Sequence, residues 1–163
     1  MNTMPTPRIL IVDDEPFNLD YLEQELEENG YLLIKASNGL EALERIREDL
    51  IDLILLDIMM PEMDGFEVLT RLKADPLTRN IPVVIISAAN NLESVVKGIQ
   101  LGAEDYLPKP FEPTLLNARI SSSLEKKRLR DLEQLYLKSL QNEMEIARDI
   151  QKSFLPPELP VSD

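Results

Sequence analysis

Four stretches carry side chains that could act together: Asp13-Asp14-Glu15, Asp57, Ser87 and Lys109-Pro110. Each stands at or just after the end of a short apolar run, where a sheet would gather them at one edge. Three carboxylates gathered in one place repel one another and hold protons unless a cation joins them. A cluster of oxygen donors suits a hard cation, and Mg2+ binds through a few carboxylates, water and phosphate oxygens. An aspartate beside such an ion is a workable nucleophile toward a phosphoryl group. The ion and Lys109 would neutralise the oxygens in flight, and the Ser87 hydroxyl could hydrogen-bond the group once attached. Taken singly, each stretch has a plain reading: Asp-Asp-Glu as a solvated loop or helix cap, a strand-end serine, a Lys-Pro turn. Asp57 differs, because it breaks the apolar stretch 53–61, and a lone charge there is costly to bury without a partner.

The elements that must position these groups are legible. Apolar runs at 9–12, 31–34, 53–56, 82–86 and 105–107 have the length and branching of strands buried on both faces. Helical patterns lie between them at about 15–29, 38–48, 64–74 and 91–101. Asn38 with Glu41 three residues on marks an N-terminus, and Gly30 and Gly102 fall where helices close. Strands alternating with helices imply a parallel sheet with helices on both faces. In such sheets ligands sit at the carboxyl ends of the strands, where the four stretches lie.

Composition narrows the chemistry. The chain has 163 residues, neither Cys nor His, and a net charge of −13. Disulfides, thiolate metal sites, imidazole bases and phosphohistidine on this chain are excluded, and the acidity argues against nucleic acid as a partner. No apolar run is long enough to span a bilayer and no secretory pattern opens the chain, so a cytoplasmic protein without membrane contact is expected. Residues 1–120 carry 10 basic and 22 acidic side chains, whereas 121–155 carry 7 and 6. That shift marks an expected boundary near Ser121.

Residues 8–120 resemble the receiver domain of bacterial two-component response regulators. The matching segments are Ile9-Leu-Ile-Val-Asp-Asp-Glu-Pro16, Leu55-Leu-Asp-Ile-Met-Met-Pro-Glu-Met-Asp-Gly-Phe66, Ile85-Ile-Ser-Ala-Ala89 and Tyr106-Leu-Pro-Lys-Pro-Phe111. The resemblance implies a flavodoxin-like, doubly wound α/β fold with five parallel strands in the order 2-1-3-4-5. It implies that Asp57 is the phosphoacceptor and that Lys109, joined by a cis bond to Pro110, contacts the phosphoryl group. Asp14, Asp57 and the Met59 carbonyl would hold Mg2+, with Asp13 assisting through water. Ser87 and Tyr106 would form the switch pair, and a sensor histidine kinase or phosphotransfer protein would supply the phosphoryl group.

From Thr114 to Leu155 there is neither Gly nor Pro, so one helix of about 42 residues, roughly 60 Å, is expected, with Pro113 in its first turn. Leu129, Leu132, Tyr136, Leu140, Met144, Ala147, Gln151 and Phe154 follow heptad spacing with one four-residue insertion. A coiled-coil linker over 121–155 that makes a parallel homodimer follows. The segment 143–156 resembles the lead-in to a bacterial metal-dependent (PPM-type) serine/threonine phosphatase domain. Residues 156–163 would then begin an output domain of a longer parent, or form a disordered tail. A receiver that regulates a nucleotide-cyclase-type output is an alternative. So is an aspartate-nucleophile phosphatase of the haloacid dehalogenase type, which would use Asp13 but has Glu15 where Asp is expected. A purely structural dimeriser would leave the carboxylates inert.

Overall fold

The structure, a computed structural model, describes residues 5–88 and 90–154, the side chains of 153 and 154 excepted. The seam position Phe154 therefore has no described side chain, and Ala89 and the stretch 155–163 lie outside the described residues.

The chain runs β1 (Arg8–Val12), α1 (Pro16–Glu28), β2 (Leu32–Ala36), α2 (Gly39–Glu48), β3 (Leu53–Asp57), α3 (Gly65–Ala74), β4 (Val83–Ala88), α4 (Leu92–Gln100), β5 (Asp105–Lys109) and α5 (Pro113–Phe154). All paired strands are parallel, in the order β2-β1-β3-β4-β5, as the resemblance implies. Strand alternation divides the core in two. Ile9, Ile11, Leu53, Leu55, Val84 and Ile86 pack with Leu19, Leu22 and Leu26 of α1 and Leu116 and Ile120 of α5. Leu10, Val12, Ile54, Leu56, Val83 and Ile85 face the other way, toward Ala42 and Ile46 of α2 and Val68, Leu69 and Leu72 of α3.

Burial on both faces holds for β1 after Arg8, for β3 and for the first five residues of β4, but not for β2 and β5, which are half-exposed because each is a sheet edge. Edge position also explains Pro108 inside β5, where a missing N–H costs no ladder bond on the open side. β2 starts at Leu32 rather than Tyr31. The Tyr31 N–H closes α1 onto the Leu26 carbonyl while Gly30, at φ +86°, bonds Glu27. Gly102, at φ +112°, closes α4 through the same pair of bonds, with Gly102 and Ala103 donating to Ile99 and Gly98. Asn38 caps α2 by accepting from the Glu41 N–H at 2.8 Å, and Glu41 reaches back to Ser37.

The contacts divide the chain into two compact units, the first reaching Lys127 and the second starting at Arg128. Leu116 and Ile120 of α5 are buried against the sheet, Leu124 packs against the same cluster, and Lys127 pairs with Asp52 at 3.9 Å. In the second unit α5 continues as helix, with Leu129, Leu132, Tyr136, Leu140, Met144 and Ala147 all exposed in the single chain. Among the described residues no helix is long and apolar enough to cross a membrane.

Candidate functional site

The carboxyl ends of β1, β3 and β5 bring four predicted residues together. Asp13, Asp14 and Asp57 each offer a carboxylate oxygen within 4.8 Å of the others. Asp13 and Asp57 are buried, at 0% and 2% exposure, whereas Asp14 faces solvent. Lys109, the last residue of β5, places its Nζ 3.4 Å from Asp57 Oδ2 and 3.6 Å from Asp13 Oδ2. The Lys109–Pro110 peptide is cis.

The two buried acids are held differently. Asp13 Oδ1 accepts the Glu15 N–H at 2.9 Å, and its Oδ2 accepts Asn18 Nδ2 at 3.1 Å as well as facing Lys109. Asp57 has looser partners: the Met59 N–H at 3.3 Å on Oδ1, and Lys109 on Oδ2. Burial, then the neighbouring Asp13 charge, pushes the Asp57 carboxyl up from 3.8 to about 6, against the opposing pull of Lys109 and the Met59 N–H. The Lys109 ammonium thus faces two of the three clustered carboxylates.

Ser87 is also buried, one residue beyond Ile86, the register partner of Asp57. It lies inside β4 rather than at its end, and its hydroxyl makes a long 3.5 Å contact to the Ala88 carbonyl. Ser87 shares the parity of Val83 and Ile85. Tyr106 pairs with Ile85 in the β4–β5 register and packs against the same cluster. The two predicted switch residues therefore share a sheet face near the acidic pocket. Met59, in the loop after β3, leaves its side chain 70% exposed.

Two further residues shape the pocket. Asn18 orients Asp13 from the first turn of α1, and its signal in the sequence was its place five residues after Asp13. Gly65 opens α3 so close to β3 that a Cβ there would strike the Asp57 carbonyl, and its N–H bonds the Ile58 carbonyl at 2.9 Å. It stands in the 55–66 motif, but only the packing reveals why a side chain is excluded.

A family model described as "Response regulator receiver domain" matches residues 9–121. The chain belongs to the response regulator receiver family. This receiver is 46% identical over 115 residues to the response regulator PleD of Caulobacter vibrioides, covering 71% of this chain and 25% of that protein. It is 44% identical over 125 residues to a Vibrio cholerae protein described as "Probable cyclic di-GMP phosphodiesterase", covering 76% of this chain and 28% of that one. The receiver thus spans about a quarter of the length of those two relatives. Among solved structures, a response regulator from Chloroflexus aurantiacus superposes with a TM-score of 0.72 at 35% identity, over 74% of this chain and 99% of the other. A CheY-like receiver domain protein from Methanospirillum hungatei does so at 0.72 and 32%, over 77% and 99%. The receiver is a regulatory module of two-component systems, a class that works with histidine kinases or phosphotransfer proteins.

Proposed function

We propose that Asp57 of this cytoplasmic receiver accepts a phosphoryl group from a sensor histidine kinase or phosphotransfer protein, and that α5 carries the consequence to a second copy of the chain. The observation that carries the reading is a buried, loosely held carboxylate in a pocket of three acids and one lysine. That pocket is short of positive charge, and its donors are all oxygen, so Mg2+ fits it better than a softer ion. Held by Asp14, Asp57 and the Met59 carbonyl, with Asp13 acting through water, Mg2+ would offset the charge of the incoming phosphoryl oxygens.

The chain's own residues divide the remaining work. An Asp57 carboxylate oxygen attacks phosphorus; the new P–O bond forms as the bond to the donor's imidazole nitrogen breaks, and that nitrogen keeps the electron pair. The Lys109 ammonium faces the side of Asp57 opposite the Met59 N–H and binds a phosphoryl oxygen. Asn18 and the Glu15 N–H keep Asp13 fixed and charged-group contacts ordered. Asp13 is the more tightly held carboxylate, accepting from the Glu15 N–H at 2.9 Å and Asn18 Nδ2 at 3.1 Å beside Lys109, whereas Asp57 has only the longer Met59 and Lys109 contacts, which weighs against the dehalogenase-type alternative. The attached group then draws in the Ser87 hydroxyl, and Tyr106 follows on the shared face, biasing a two-state element.

The exposed seam Leu129, Leu132, Tyr136, Leu140, Met144 and Ala147 supports a homodimer through a coiled coil. The likeness of 143–156 to a PPM-type phosphatase lead-in supports a serine/threonine phosphatase as the output in a longer parent. Incubation with acetyl phosphate tests the acceptor reading. Intact mass should rise by one phosphoryl group in the presence of Mg2+, with no gain in Asp57→Asn; a gain in Asp57→Asn would refute it.

A further inference from the structure

Arg119 of α5 brackets Tyr106 together with Asp105. The Arg119 guanidinium lies over the Tyr106 ring, 5.6 Å from its centroid, and Nη1 donates to Asp105 Oδ2 at 3.0 Å. The other Asp105 oxygen accepts the Tyr106 backbone N–H at 2.9 Å. Tyr106 is thus tied by its backbone to the carboxylate and by its ring to the guanidinium that the same carboxylate orients. Because β5 is the sheet edge, a side chain from α5 can reach around it to a ring packed on the opposite face.

A second feature bears on how readily Arg119 lets go. Arg119 Nε is buried and has no acceptor. A buried donor left unmade is costly, so a move that gives Arg119 Nε an acceptor would be favoured. Arg119 also sits between Leu116 and Ile120, which anchor α5 to the core, so any displacement of its head group is felt by that helix.

We propose that Arg119 is a positioning residue that holds Tyr106 in its resting place, so that the Tyr106 ring leaves for the Ser87 side only when the guanidinium releases it. This rests on the reading of Asp57 as phosphoacceptor with Ser87 and Tyr106 as its switch. A restraint on the resting state lowers the apparent affinity for anything that selects the switched state. A cation over a partly exposed ring accounts for about a two- to fivefold bias.

The test uses beryllofluoride with Mg2+ as a stand-in for the phosphoryl group, with binding to the full chain followed by fluorine NMR. Arg119→Met should bind about two- to fivefold more tightly than the unaltered chain, and Arg119→Lys, which keeps a cation near the ring, close to the unaltered value. In a Tyr106→Leu background, Arg119→Met should change nothing. Arg119→Gln carries the same expectation and serves if Arg119→Met does not fold. Unchanged affinity in folded Arg119→Met or Arg119→Gln, or an equal shift with and without Tyr106, overturns the proposal. Failure of the unaltered chain to bind beryllofluoride would instead overturn the phosphoacceptor reading.

Discussion

Asp13 and Asp57 share the ammonium of Lys109, at 3.6 and 3.4 Å, with the Asp14 carboxylate beside them. The shortfall of positive charge has a consequence for stability. The folded Asp57 carboxyl titrates at about 6 rather than 3.8, so between those values the native state holds a proton that the unfolded chain has lost. Stability of the metal-free protein therefore falls as pH rises through that window, and the full penalty, about 3 kcal/mol, is present above pH 6. Asp57→Asn removes the charge and the penalty with it. Chemical denaturation in chelator should show the variant more stable than the unaltered chain at pH 7.5, with the gain gone near pH 4. An equal difference at both values would mean that the pocket does not strain this carboxylate. The residue types of the pocket were legible from strand-end position alone. Its tuning was not, because the Asn18 contact and the exclusion of a Cβ at Gly65 depend on how α1 and α3 approach the strand ends.

At the level of elements, local signals served best where one hydrogen bond decides the outcome. Asn38 caps α2, and Gly30 and Gly102 close α1 and α4, as their types and positions predict. Strand limits were less legible, because pairing partners set them. β4 and β5 extend together through Ser87↔Pro108 and Ala88↔Lys109, which leaves Ser87 one residue short of the end of β4 and makes Lys109 the last residue of β5 rather than the one after it. Burial of β2 and β5 likewise depends on strand order, which no single apolar run encodes. α5 is continuous over Pro113–Phe154, and from Leu129 to Ile150 its apolar side chains are exposed, including Leu135, Leu137, Ile146 and Ile150 beside the seam. A helix with so much exposed apolar surface gains by pairing with another. Leu140→Lys places a charge in the centre of the seam and should weaken self-association at least about tenfold, read by sedimentation. The same dimer at the same concentration in both chains would remove the coiled coil from the account.

For the whole molecule, the charge divides the sequence into an acidic part, 1–120, and a near-neutral part, 121–155, and the contacts separate a unit that reaches Lys127 from one that starts at Arg128. Leu116, Ile120 and Leu124 hold the start of α5 to the sheet, so the helix that carries the seam is also part of the receiver core. The proposed route from Asp57 to a second copy of the chain would use that continuity, with Arg119 at its first step. The route has meaning only if chemistry begins at Asp57. The site of the new bond is therefore the measurement to make. After reaction with acetyl phosphate and Mg2+, borohydride reduces an aspartyl phosphate to the corresponding alcohol and leaves a phosphate ester of serine or threonine intact. Peptide mass mapping should find the reduced side chain at residue 57 and nowhere else. A reduced side chain at residue 13, or a borohydride-resistant phosphate on a hydroxyl, would contradict the account at its centre.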